Sequence, residues 1–152
     1  MAVLRILHGG RVRYAADIAA DPTSGTTRAT GNYWSKGDVL ALQTNGVAQY
    51  AQAVNGTIFG LAFETRPQLL DTGLLDDETI GSGKVTMILD PAVIETDQYA
   101  SGLANWEENQ SVYCNTSGKL ANVDAGSATK LGMCMSTIQS DNTVKILWAP
   151  QY

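Results

Sequence analysis

The sequence predicts an all-β protein: a small barrel or sandwich built from two similar β motifs, with an extended N-terminal segment. Three observations carry this. No stretch of 11 or more residues sustains the apolar spacing of a helix. Charged residues make up only 16% of the 152-residue chain, apolar residues 44%, and there are 15 glycines, a mix that favours strands joined by turns. Finally, part of the chain is present twice.

Trp34–Thr65 aligns with Trp106–Thr137 at an offset of 72 without a gap, and seven of 32 positions are identical. These include Trp34/Trp106, Gly46/Gly118, Gly60/Gly132 and Thr65/Thr137. An ungapped match that keeps the turn glycines reads as a duplication.

Each copy gives the same string of elements. A strand comes first, Val39–Thr44 or Ser111–Thr116. A tight turn follows at Asn45-Gly46 or Ser117-Gly118, because both positions of such a hairpin turn need positive φ. A second strand covers Val47–Ala51 or Lys119–Val123, and a small-residue loop leads to a third at Ile58 or Lys130. That third strand contains Gly60 or Gly132, and a glycine inside a strand marks a bulge or a close backbone approach. Downstream, at another offset, Lys84–Pro91 matches Thr143–Pro150 as an apolar strand closed by proline. The changed offset implies an insertion within Arg66–Gly83, with a surface loop or short helical turn over Gln68–Leu75.

The start is less regular. Leu4–Leu7 and Arg11–Tyr14 are expected to pair across His8-Gly9-Gly10, and Asp21–Asn32 reads as an extended polar loop. The organisation is then an N-terminal arm and loop (1–33), a first β motif (34–98) and a second (99–152), together one compact domain.

Ten basic residues face 15 acidic ones, a net charge of −5. A nucleic-acid binder is expected to show a basic face, so that class is disfavoured. The charge is uneven: residues 1–35 hold four arginines and two aspartates, net +2, and the remainder six basic and 13 acidic residues, net −7. A mildly basic leading segment suits an acidic partner. No apolar run approaches the roughly 20 residues of a membrane span, and the N-terminus has no signal-peptide layout. The expectation is a chain used without secretion, with Cys114 and Cys134 as free, buried thiols.

Reaction chemistry finds little support. His8 is the single histidine and lies outside any nucleophile–base pattern. Asp76-Asp77-Glu78 lacks the calcium-loop spacing and reads as a solvated loop. Gly81-Ser82-Gly83-Lys84 fails the phosphate-loop pattern, because Val85 follows Lys84 and a strand, not a helix, comes next. Two cysteines without a nearby histidine do not make a structural zinc site. The expectation is no catalytic, cofactor or metal site. Trp34 and Trp106 stand at equivalent repeat positions and read as anchors; stacking on a sugar is the alternative.

The order strand, glycine turn, strand, small-residue loop and glycine-containing apolar strand resembles the capsid decoration, or cement, proteins of tailed phages. The matching residues are Val39–Phe63 with Gly60, and Ser111–Met135 with Gly132. The resemblance implies a non-enzymatic virion protein, made in the host cytoplasm. It would bind the major capsid protein on the outer shell and stabilise the shell. It also implies self-association, a trimer first and a dimer second, with no nucleic acid, membrane or cofactor. The N-terminal segment would reach the lattice. The interface candidates are therefore Val3, Leu4, Arg5 and Ile6 as a strand edge, Arg11 and Arg13 as charges, and Trp148 in the last strand. A tail or head-fibre component and a carbohydrate-binding module are the alternatives.

Overall fold

The computed structural model describes residues 2–17, 33–43, 46–49, 59–66, 84–100, 105–115, 117–124 and 129–150. They form eleven strands: β1 (Leu4–Gly9), β2 (Arg13–Asp17), β3 (Val39–Gln43), β4 (Gly46–Gln49), β5 (Phe59–Ala62), β6 (Lys84–Ile88), β7 (Ala92–Thr96), β8 (Ser111–Cys114), β9 (Leu120–Ala121), β10 (Gly132–Cys134) and β11 (Val144–Trp148). No helix occurs among the described residues. One sheet runs β1-β7-β11-β10-β8-β9 and the other β2-β6-β5-β3-β4. All the named strand pairs are antiparallel.

The two sheets repeat one another. Leaving β1 aside, β7-β11-β10-β8-β9 has the order of β2-β6-β5-β3-β4, strand for strand. Leu40 faces Gly60 as Val112 faces Gly132, and Leu61 faces Ile88 as Met133 faces Leu147. The hydrogen bonds of the entry turn are also duplicated. Gly37 N donates to Ala62 O as Asn109 N does to Cys134 O, and Ala62 N donates to Asp38 O as Cys134 N does to Gln110 O. Ser35 N donates to the Asp38 carboxylate as Glu107 N does to the Gln110 amide oxygen. Gly37 (φ 92°) and Asn109 (φ 69°) take the same left-handed position. Asparagine is among the few residues besides glycine that tolerate it. The chain is thus a tandem of a first unit, β2–β6, and a second, β7–β11. Strand β1 is an addition to the second.

The sequence predicts the four repeated strands of each copy and a strand at Arg11–Tyr14 that overlaps β2 at Arg13 and Tyr14, but it does not predict β7. β7 follows Pro91 directly and is short, although its Ala92, Ile94 and Thr96 alternate inward as a half-buried strand should. The expected β1–β2 hairpin does not form. β1 pairs with β7 and β2 with β6, in different sheets. Gly9 (φ 71°) and Gly10 (φ 65°) turn the chain, Gly10 N donates to Pro91 O, and the Asp90 carboxylate accepts from Arg11 N and Val12 N. These bonds divert the chain to the other sheet. The N-terminus is therefore an integral strand followed by a crossover, not an extended arm. The expected turn over Gln68–Leu75 and the loop Asp21–Asn32 lie outside the described residues.

The sheets pack face to face. Val39, Ala41, Phe59, Leu61 and Ile88 of the first unit share one core with Val112, Cys114, Cys134, Ile146 and Trp148 of the second. A second cluster of Trp34, Leu40, Ala62, Val85 and Met87 fills the opposite face of the first unit. Each unit also curls on itself: β2 comes back towards β4, and Tyr99, just past β7, bridges Leu120 of β9.

Gly60 and Gly132 occupy equivalent points of closest approach. A Cβ on Gly132 would stand 1.9 Å from the Leu147 carbonyl oxygen, whereas one on Gly60 would first meet the Met87 methyl at 2.7 Å. Backbone cannot yield as a flexible side-chain end can, and overpacking of this kind typically costs 1–3 kcal/mol. Gly132→Ala is expected to lose about 3 kcal/mol and Gly60→Ala about 1 kcal/mol. Urea unfolding midpoints of the two variants check this, and equal losses would contradict it.

Candidate interaction surface

Strand β1 ends the six-stranded sheet, bonded to β7 on one side. Its start is held firmly. Val3 N donates to the Asp97 carboxylate at 2.7 Å, and the Thr96 hydroxyl donates to Val3 O at 2.7 Å. Leu4 and Ile6 are half-buried and pack against the main core. Arg5 points out and reaches Glu95 at 3.4 Å and Asp141 at 3.2 Å. These hydrogen bonds, to Asp141 first, raise the guanidinium pKa further. The Asp141 carboxyl is held below its usual range, first by the Thr143 hydroxyl and then by Arg5. Between Ile6 and His8 the register slips, so Leu7 and His8 both stand at Val93 in a bulge, and both are exposed.

The other sequence candidates are dispersed. Arg11 is exposed in the crossover. Arg13 opens β2, and its guanidinium lies 4.3 Å from the centre of the Phe63 ring. Arg5 and Arg13 are thus already engaged within the chain. Trp148 does not belong with the surface candidates. It is 0% exposed in the core between the sheets, and its indole N–H finds no acceptor among the described residues. In β11, Val144, Ile146 and Trp148 point inward and Leu147 outward. Strand parity was the signal that separates Trp148 from the surface.

The tryptophans read as anchors do anchor. Trp34 donates to Glu64 O at 3.0 Å and Trp106 to Ala100 O at 3.2 Å. At 3% and 2% exposure neither ring offers a face to a sugar. The carbohydrate-binding alternative named exposed Trp34, Trp106 or tyrosines, and burial withdraws the two tryptophans from it.

What sequence reasoning missed is the outer face of the six-stranded sheet. Val93, Leu147 and Met133 stand in register on adjacent strands, and Leu7 lies beside Val93 at the bulge. Leu7 is 49% exposed, Leu147 37% and Met135 43%. The next row across the strands is Arg5, Glu95 and Lys145.

Cys114 and Cys134 are buried and free. Their strands are neighbours, but the register that sets Val112 against Gly132 leaves them four residues apart, about 13 Å at strand rise. Burial raises both thiol pKa values. Among the described residues no three histidine, cysteine or acidic side chains converge as a metal site. Nor is any helix there long and apolar enough to cross a membrane. Lys84 opens strand β6, and the Asp76–Glu78 cluster lies outside the described residues. No protein-family model, curated protein or solved structure matches the chain.

A thiol that stays protonated and buried is a poor nucleophile. Neither cysteine is expected to react with iodoacetamide at neutral pH until the chain is unfolded, as intact mass shows. The sign for stability follows from linkage: above the ordinary thiol value of 9.0 the unfolded chain loses these protons before the folded one. Stability therefore falls as pH rises beyond that value. Labelling of the native chain at neutral pH would contradict this.

Proposed function

We propose that this protein is a structural virion component that docks on the outer surface of a phage capsid and stabilises the shell. The observation that carries the reading is the β1 edge. It is the outer margin of a six-stranded sheet, with backbone groups turned away from β7. Such an edge accepts a partner strand through main-chain hydrogen bonds. The exposed Leu7 and His8 of the bulge lie along that margin, and Arg11 follows in the crossover. These groups supply apolar and cationic contacts to a capsid subunit. The partners on this reading are the major capsid protein and further copies of the chain.

The shape of the molecule supports a bracing role. Two stacked units share one apolar core, so a load on one sheet passes to the other through packed side chains. A modest contact of this kind, repeated over many capsid subunits, reinforces a lattice without a deep pocket. The net charge of −5 fits a protein partner better than packaged nucleic acid.

The test is co-sedimentation of the purified chain with expanded heads that lack their decoration protein. The expected outcome is saturable binding and heads that resist heat better than bare ones. No binding across a range of salt concentrations would contradict the reading.

A further inference from the structure

The two units are not related by a closed symmetry, and this leaves one face over. In the first unit the row Val39, Ala41, Leu61 and Ile88 is buried in the core between the sheets. The register equates these positions with Ser111, Tyr113, Met133 and Leu147 of the second unit. There the row faces out, and Leu147 is exposed. The opposite row behaves in the complementary way. Leu40 and Met87 fill the first unit's own cluster, whereas their equivalents Val112 and Ile146 receive the first unit. The outer face of one unit therefore packs on the inner face of the next, a head-to-tail contact that either continues or must be capped.

We infer that the leftover face, centred on Leu147 and Met133, is where a second copy of this chain binds. The intramolecular contact is the precedent for the occupant: in the first unit, the same face is covered by another unit of the same kind. Head-to-tail continuation is closed off, because the first unit's inner face is filled by Trp34, Leu40, Val85 and Met87, all buried. The arrangement left is a two-fold one, outer face against outer face, with Leu147 near the axis. The flanking row of Arg5, Glu95 and Lys145 alternates in sign, so two-fold-related copies can set opposite charges together. Such a contact is self-complementary, as closed dimers require. It builds on the self-association part of the reading above and is independent of the capsid part.

The experiment is light scattering after size exclusion on the full chain, with Leu147→Glu, Met133→Glu and, as a control in the β1–β2 crossover, Val12→Glu. The wild type and Val12→Glu are expected at twice the chain mass. Either face substitution should weaken association about thirty-fold or more, as loss of a central interface side chain does. Because Leu147 is already exposed in the single chain, Leu147→Glu should keep the wild-type circular dichroism spectrum, and its thermal midpoint should fall only by the share that association contributes. A Leu147→Cys variant, the native thiols being buried, should form an intermolecular disulfide on mild oxidation. A wild type of single-chain mass, a trimer, or a dimer untouched by both face substitutions would overturn the inference. A dimer that fails to bind heads removes the capsid reading alone. A monomer that binds them removes this inference alone.

Discussion

The structure depends on the burial of one sheet's outer row against the other sheet's inner row. Val39, Leu61 and Ile88 on one side and Val112, Ile146 and Trp148 on the other are all withdrawn from water. Each such side chain contributes about 1.5–3 kcal/mol by burial. The rim of this contact is polar and specific. Lys119 donates to the Asp38 carboxylate at 2.6 Å and to the Gln98 amide oxygen at 2.5 Å, and Val39 N donates to Gly118 O across the units. Asp38 also accepts from Ser35 N in its own turn. One carboxylate thus shapes the entry to β3 and fixes the second unit against it. Lys119 keeps part of its side chain in water, which lowers the desolvation cost of the pair.

The duplication was legible because it lives in local chemistry. A tryptophan, a left-handed turn position and a strand glycine must recur wherever the same turn and the same close approach recur. Trp34/Trp106 and Gly60/Gly132 therefore survive, while core side chains of similar volume interchange, as Leu40/Val112 and Met87/Ile146 do. The first strand of the second unit was not legible, and that of the first was legible only as a strand at Arg11–Tyr14, without its partner β6. β2 pairs with β6, and β7 lies between β1 and β11, all by long-range pairing, and nothing within β7 but a short alternation signals it. The crossover at Gly9–Val12 was hidden for the same reason. Its direction is set by Pro91 and Asp90, some eighty residues away.

The candidate surface shows the same division. The sequence pointed to β1 as an edge, and among the described residues it is the last strand of its sheet, with Leu4 and Ile6 packed on the core. It pointed to Trp148 by its place in the last strand, where packing or subunit contact was expected, and the parity of Val144 and Ile146 fixes the inward position. Whether an arginine is available to a partner depends on what lies opposite. Arg5 meets Glu95 and Asp141, and Arg13 meets Phe63, contacts that only the folded sheets create. The outer face at Leu147 and Met133 becomes visible only when the two units are compared. Its apolar character is ordinary for a buried row and informative on an outer one.

The tandem rests on the equivalence of the two units, and cross-strand backbone contacts measured by isotope-edited nuclear Overhauser spectroscopy test it most directly. The expected result is a matched set: contacts between Leu40 and Gly60 and between Leu61 and Ile88, mirrored by Val112 with Gly132 and Met133 with Leu147. A different register in either sheet, or β10 paired with any strand other than β8 and β11, would contradict the tandem. The leftover face argued from it would fall at the same time.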